Sequence, residues 1–406
     1  MTEIVLGTLV IIALLLALTL GLLAARRRLV PQGAVTVTVN DSHQISAARG
    51  DRLLPVLHGA GIAIPAGCGG AGTCGLCRVT ATGEGAGDPL ATERGILSGA
   101  ERRDHVRLAC QLTLRGPVDV QVSGGVLSAG SAECRVLSNR MLAPLIRELV
   151  LELPPDYPFD FRAGGFMQLT APPYDLDFAR IEVAPEHREA WAAAGWDRLR
   201  GQSALPVTRA YSIANRPADQ GRAVFNIRLA VPPAGQEGVI PPGIVSSWLF
   251  ALKPGDKAGI SGPFGEFHVQ PTDREMIFIG GGVGMAPLRA MIHEQLGQGT
   301  ARKIRYFYGA RTAADLFYVD EFQALAAAHP NFGWVAALTE PAPGDKWDGP
   351  TGFIHETVRR ALASHPAPED CEYYLCGPPV MISAVLATLT RLGVEPHSIF
   401  NDDFGA

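Results

Sequence analysis

The chain has 406 residues, 47% of them hydrophobic and 18% charged, which allows several domains with cores of their own. A net charge of −5 without a basic stripe excludes nucleic acid as a partner. Of seven cysteines, Cys68, Cys74, Cys77 and Cys110 are crowded while Cys134, Cys371 and Cys376 are scattered, which excludes a disulfide framework and suits a bound metal in a reducing compartment.

Residues 4–25 carry no charge and, at about 1.5 Å per helical residue, can cross a hydrocarbon core of about 30 Å. A signal peptide would need a basic start and a shorter apolar core, whereas here Glu3 precedes the run and Arg26, Arg27 and Arg28 follow it. The expectation is a retained anchor helix with the rest of the chain on the cytoplasmic side. With no acid, histidine or asparagine in the run, that helix offers no ion path. Pro31 to Gly33 read as a short linker. Ala34 to Asn40 then alternates as a strand, Asp41 supplies a turn, and an extended run resumes at Gln44. Residues 51–61 suit a short helix and residues 118–122 a further strand, after which Gly124, Gly125 and Gly130 mark a flexible boundary. From Cys134 to about Pro271, short strand-like runs between proline and glycine turns suit an antiparallel barrel. Helix-prone residues 174–205, with Trp191 and Trp196, read as an insertion in it. Beyond Glu275, strands at 276–279, 304–308, 334–337 and 373–376 alternate with helical stretches, the pattern of a parallel sheet in an α/β domain.

The crowded cysteines are spaced Cys68-x5-Cys74-x2-Cys77 with Cys110 distant, and glycines fill the loop between them. A [2Fe-2S] cluster needs four thiolates from a loop that wraps closely around inorganic sulfide, and glycines let the backbone approach with its N–H groups turned inward. Zinc sites more often read as two Cys-x2-Cys pairs. The pattern resembles the ferredoxin β-grasp domain. Its x5 gap departs from the plant-type spacing towards vertebrate-type ferredoxins and some reductase-fused domains.

Two further stretches suit a flavin diphosphate. In Arg209-Ala210-Tyr211-Ser212, placed just before a strand-like run, the guanidinium can neutralise phosphate, the phenol can stack on the isoalloxazine and the hydroxyl can bond its polar edge. Pro242 and Gly243 open a helix whose first amides, with the Ser246 hydroxyl, can meet the phosphates, although a serine there is commonly only a cap. These residues, followed by Gly262-Pro-Phe-Gly265, resemble the ferredoxin reductase superfamily, in which a flavin barrel precedes a nicotinamide-binding domain. The resemblance adds Arg228 and Val245 to the FAD set.

Farther on, Gly280, Gly281, Gly282 and Gly284 end an apolar strand and lead through Met285 and Ala286 into a helix, a turn on which a dinucleotide diphosphate can sit. Tyr374-Leu-Cys376-Gly377-Pro378-Pro379 is a second strand end meeting a turn. In the resembled superfamily it borders the nicotinamide, with the cysteine thiol near the reacting carbon; a buried small hydrophobe is the other reading of Cys376. Arg311 and residues 315–321 are expected near the adenosine. The absence of a clustered basic pair favours NADH over NADPH. In the tail, Asn401-Asp-Asp-Phe404-Gly-Ala406, the superfamily implies that Phe404 covers the flavin, against a tail residue packed on the barrel.

Taken whole, the order of segments and the Asp-Asp-Phe-Gly tail resemble the NADH-oxidising subunits of Na+-translocating NADH:quinone oxidoreductases. Phe400 and Asn401 depart from that family's pattern, where an aliphatic residue and an acid would stand. The implied fold is multi-domain: a transmembrane anchor helix with basic flank (1–30), a β-grasp [2Fe-2S] ferredoxin domain (34–126), an antiparallel FAD barrel (131–271) with its insertion, and an α/β parallel-sheet NADH domain with the tail (272–406). The implied cofactors are FAD and a [2Fe-2S] cluster, with NADH as substrate. The implied partners are the other integral and peripheral subunits of a bacterial inner-membrane complex that delivers electrons to ubiquinone and exports Na+. The alternative is the reductase component of a di-iron monooxygenase, which shares the redox domains but is soluble.

Overall fold

The computed structural model describes residues 2–29, 33–122, 126, 129–342 and 344–403, with side chains of the first helix described at 7–9 and 11–21. Gly124, Gly125 and Phe404 lie outside these residues, and with them the expectations placed on them. Helix α1 runs over Thr2–Leu29. Its described leucines and isoleucines are exposed, Leu14 by 65%. Among the described residues no helix is long and apolar enough to cross a membrane. The expected spanning helix thus has no support from these residues.

Beyond it the chain divides into two compact units, one of Met1–Ile64 with Gly70–Gly124 and one of Pro65–Gly69 with Gly125–Ala406. The first unit contains β1 (Ala34–Val39), β2 (His43–Ala48), α2 (Leu53–Gly59), β3 (Arg78–Thr82), α3 (Ala91–Arg94), α4 (Gly99–Arg103), β4 (Val106–Leu108) and β5 (Val118–Gln121). The strands form one sheet in the order β2-β1-β5-β3-β4, with β1 parallel to β5 and the other pairs antiparallel. Val35, Val37 and Val39 point inward and the residues between them outward, as the period-2 pattern demands. The long excursion between β3 and β4 is tied down by a buried ion pair. Arg107 donates to both carboxylate oxygens of Glu93 at 3.0 and 2.9 Å, and the Leu108 amide adds a third bond at 2.9 Å. Burial pushes the Glu93 carboxyl up, but these donors and the Leu90 amide outweigh it and hold it below the usual carboxylate range.

In the second unit, β6 (Gly130–Ala143), β7 (Ile146–Glu152), β8 (Phe166–Ala171), β9 (Tyr174–Asp177), α5 (Arg188–Ala194), β10 (Arg200–Ser203), β11 (Val207–Ser212), β12 (Arg222–Arg228), α6 (Ile244–Ala251) and β13 (Lys257–Phe264) come first. Six strands make an antiparallel sheet in the order β11-β8-β13-β6-β7-β12, and an Ile213–Phe225 bridge links its two ends into a barrel. Leu149, Leu151, Met167, Leu169, Phe225 and Ile260 fill it. The segment between β8 and β11 begins and ends as a separate ribbon of β9 with β10, and carries α5 between them. Trp191 of α5 is buried against Phe250 and donates to Pro144 O at 2.6 Å, which pins the excursion to the barrel.

The rest alternates: β14 (Met276–Gly281), α7 (Met285–Gly297), β15 (Ile304–Ala310), α8 (Val319–Ala328), β16 (Phe332–Leu338), α9 (Ile354–Leu362), β17 (Glu372–Gly377), α10 (Pro379–Arg391) and β18 (Ile399–Asp403). All five strands are parallel, in the order β16-β15-β14-β17-β18. Every residue of β14 and β17 is buried, because helices cover both faces of the sheet.

Candidate functional site

In the first unit, Cys74, Cys77 and Cys110 come together. Cys77 lies in the run into β3 and Cys110 directly after β4, and both are buried. The Cys77 thiol is pushed far above its usual range by its hydrogen bond with Cys110 and by burial, with the charges of Cys110 and Cys74 adding to it. Thiols this crowded cannot ionise together without a cation, and a cation that displaces their protons is what the set fits. Cys68, half-buried, opens the same loop. The loop turns through Gly70 and Gly72 at φ +92° and +81°, where a Cβ on Gly72 would strike the Gln111 side chain at 2.6 Å. Gln111 Nε2 lies 3.5 Å from Cys110 Sγ and donates to Gly70 O at 3.2 Å, so one amide spans both ends of the cradle. Within the first unit Cys74, Cys77 and Cys110 with their glycine turns fit three of the four thiolates of a [2Fe-2S] cluster.

The flavin candidates gather on the barrel. Arg209, Ala210, Tyr211 and Ser212 lie within β11, paired with β8, and not ahead of a strand as their polar composition implies. Tyr211 packs half-buried against the barrel core and Ser212 is buried. Gly243 caps α6 without any side-chain bond to its amides, and Val245 and Ser246 are buried in the first turn. A Cβ at Gly243 would meet Ser246 Oγ at 2.6 Å and Ala230 Cβ at 2.8 Å, so the entry admits only glycine. The Ser246 hydroxyl donates to Gly243 O and accepts from the Ala230 amide, at 3.2 and 3.3 Å; it is committed to the backbone instead of aimed outward. Tyr174 donates to Ile244 O at 2.6 Å and steadies the same end. An uncapped helix start beside Arg209's strand fits a diphosphate. Arg228 stands exposed at the end of β12.

The nicotinamide candidates, far apart in sequence, become neighbours. Gly280 of β14 pairs with Cys376 of β17, at the carboxyl ends of the two strands where the strand order reverses. A Cβ on Gly281 would meet Met381 Sδ at 2.8 Å, and one on Gly377 would meet Gly281 O at 2.9 Å, so the two glycines bring their strands' ends close. Gly282 follows at φ +55° with nothing within 4 Å of a Cβ, open above the turn. Gly284, Met285 and Ala286 begin α7 with no side-chain cap and no acid in the first turn, leaving the dipole to a ligand. Pro378 and Pro379 begin α10. This crevice fits a dinucleotide.

Two contributors escaped the sequence reading. Tyr308 donates to Gly282 O at 3.0 Å and holds the turn from below. Residues of the stretch placed near the adenosine divide: Asp315 caps Thr312 and lies 3.6 Å from Arg311, while Tyr318 and Glu321 engage Arg289, His293 and the barrel. Burial pushes the Glu321 carboxyl up, yet hydrogen bonds from His293 and Arg289 outweigh it and hold it down to about 2. The available signal was Arg289 itself, a lone cation among apolar residues in the helix after the glycine turn.

Models of three families match the chain: a 2Fe-2S iron-sulfur cluster binding domain over 37–115, an oxidoreductase FAD-binding domain over 199–269 and an oxidoreductase NAD-binding domain over 278–386. The chain is 46% identical over 407 residues to the F subunit of the Na(+)-translocating NADH-quinone reductase of Methylococcus capsulatus, covering 100% of both. It is 44% identical over 405 residues to the equivalent protein of Neisseria gonorrhoeae, which bears the same name, covering 99% of this chain and 100% of the other. Among solved structures it is similar to an Amycolatopsis cytochrome P450 reductase (TM-score 0.61, 25% identity, 91% of this chain and 98% of the other). It is also similar to the ferredoxin reductase in carbazole 1,9a-dioxygenase (TM-score 0.60, 26% identity, 92% and 99%).

Proposed function

The chain belongs to the family of F subunits of the Na+-translocating NADH-quinone reductase, and from that membership we propose that it is the electron-input component of a respiratory complex of the bacterial inner membrane. It oxidises NADH on FAD and passes electrons singly through a [2Fe-2S] cluster to partner subunits and finally to ubiquinone, coupled in the complex to Na+ export. The observation that carries this reading is the pairing of Gly280 with Cys376, which joins the two nicotinamide motifs in the unit that also holds β11 and α6. The monooxygenase-reductase alternative is not favoured, because relatives 44–46% identical over essentially the whole chain bear the quinone reductase name.

Bound FAD would supply the conversion between the two-electron chemistry of NADH and the one-electron chemistry of a [2Fe-2S] cluster. The chain's own part is position and field. The start of α7 with Gly282 would hold the NADH diphosphate, and Gly281 and Gly377 would let it approach the strand ends. Cys376 floors the crevice beside the nicotinamide, with Pro378 and Pro379 as its rim. Arg209 and the first amides of α6 would hold the flavin diphosphate, with Tyr211 to flank the ring and Ser212 to meet its polar edge. Cys68, Cys74, Cys77 and Cys110 ligate iron. No side chain is needed as a general acid or base. Purified protein is expected to show flavin bands with a [2Fe-2S] shoulder, both bleached by NADH; a colourless protein ends the reading.

The domain divisions given by the sequence, 34–126, 131–271 and 272–406, are kept as part of this proposal. So is the anchor: α1 holds the chain to the membrane as a single pass with the redox units cytoplasmic. Its support is in the sequence, the uncharged run 4–25 and the basic flank Arg26 to Arg28. With no ionisable residue in that run, the Na+ path lies in other subunits. Deleting residues 1–33 is expected to move the chain from the membrane pellet to the supernatant, and to end co-purification with integral membrane subunits. A truncated chain that still sediments with membranes, or an intact one recovered with a soluble hydroxylase, would defeat the assignment.

A further inference from the structure

The barrel and the parallel sheet of the second unit meet along one stripe of α7. Ala286 packs with Ala214 and Val224, small residues that let the helix lie close to the turn after β11. One turn on, on the same face, Arg289 is buried and its Nη1 donates to the carbonyl of Ala214 at 2.7 Å. Its remaining fork donates to both oxygens of Glu321 at 2.6 and 2.7 Å, and its guanidinium lies 4.2 Å above the Tyr318 ring. His293, a further turn along, meets Glu321 at 2.7 Å. Tyr318 itself sits at φ +59°, a conformation that bulky side chains avoid. It is kept there by bonds from its hydroxyl to Glu148 of β7 and from Asn226 of β12.

We propose that Arg289 is a positioning residue for hydride transfer, which sets the register between the NADH-holding start of α7 and the flavin-holding strand β11. The proposal rests on the assignment of those two motifs given above. Mere adhesion between the layers would be served by apolar side chains, without the cost of burying a charge. A bidentate guanidinium adds direction. Its target is a backbone carbonyl two residues past Ser212, and Gly284 stands five residues before it on the same helix, so one side chain ties both motifs at short reach.

The test uses the full-length holoprotein and two substitutions, Arg289→Lys and Glu321→Gln. A lysine keeps the charge but cannot span Ala214 O and both Glu321 oxygens. The limiting rate of flavin reduction by NADH in stopped flow is expected to fall about 10- to 100-fold in Arg289→Lys, since misplacement of about 1 Å costs that much. Glu321→Gln should show a smaller fall in the same direction. The affinity for NAD+ by calorimetry should stay within about twofold, flavin content should be unchanged, and the long-wavelength charge-transfer absorbance of NAD+ with reduced flavin should weaken. The proposal is overturned if both variants keep the wild-type rate and charge-transfer band, or if the loss lies in NAD+ affinity or flavin content with the rate intact. Should Arg289→Lys not fold, Glu321→Gln and Tyr318→Phe decide by the same readouts. Failure of the motif assignment itself would appear earlier, as a wild-type protein whose flavin NADH does not bleach.

Discussion

Cys110→Ala removes the [2Fe-2S] absorbance and the acid-labile sulfide completely, while NADH still bleaches the flavin at a rate within about twofold of wild type. The first half follows from the ligand count: the cluster needs four thiolates, and Cys110 is one of the four assigned to it. The substituted position is buried but small, and its backbone stays anchored, because Arg52 donates to Cys110 O at 2.7 Å. The sheet of the first unit is filled by Val35, Val37, Leu53, Leu57, Leu108 and Val120, so the unit keeps its core without the thiol. The second half follows from the division of the chain: β14, β17, α6 and β11 all belong to the other unit and draw their packing from it. Iron and sulfide analysis with stopped-flow absorbance checks both halves. Loss of both chromophores would show that the units depend on one another, and would remove the basis for treating flavin reduction as a separate step.

What could be read from the sequence was whatever has a short-range cause. Residues 276–279 and 373–376 stand out as apolar runs because β14 and β17 are covered on both faces. Val35 to Val39 show their alternation because one side of β1 faces solvent. The cysteine spacing is local as well, apart from Cys110. Position within the barrel was harder. Arg209 to Ser212 read as lying just before a strand because a half-buried strand of this kind carries polar and aromatic residues together. The contacts of Arg289 were out of reach, since Ala214 lies 75 residues away and Glu321 32 residues away. Tyr318 and Glu148 are separated by 170 residues, and either alone reads as an ordinary surface group. Glu93 and Arg107 are hidden in the same way, as charges on the short helix α3 and on β4 that only the fold brings together inside.

Gly284→Ala is expected to lower kcat/KM for NADH by about 100-fold and to destabilise the second unit by about 1–3 kcal/mol. A Cβ there would stand 2.0 Å from Cys376 O, 2.3 Å from Cys376 C and 2.7 Å from Gly377 N. All three are backbone atoms of a strand hydrogen-bonded on both sides, by β14 and β18, so nothing can rotate out of the way. The helix must lift instead, and α7 carries both the start that lines the crevice and the Ala286 and Arg289 contacts with the barrel. One methyl group therefore disturbs the dinucleotide site and its register with the flavin side together. Gly282→Ala separates steric packing from ligand approach. At φ +55° a Cβ meets nothing within 4 Å, so its cost in the free protein is backbone strain of about 1 kcal/mol. Its effect should appear as a raised KM, because the new methyl group projects where the diphosphate must sit. Thermal melts with steady-state kinetics on the two variants distinguish these origins. If Gly284→Ala kept the wild-type kcat/KM, contact between the α7 start and the end of β17 could not be what shapes the crevice. If instead the two variants matched in both melting and KM, the turn would have to be read as a single strained element and not as an open seat above a tightly packed one.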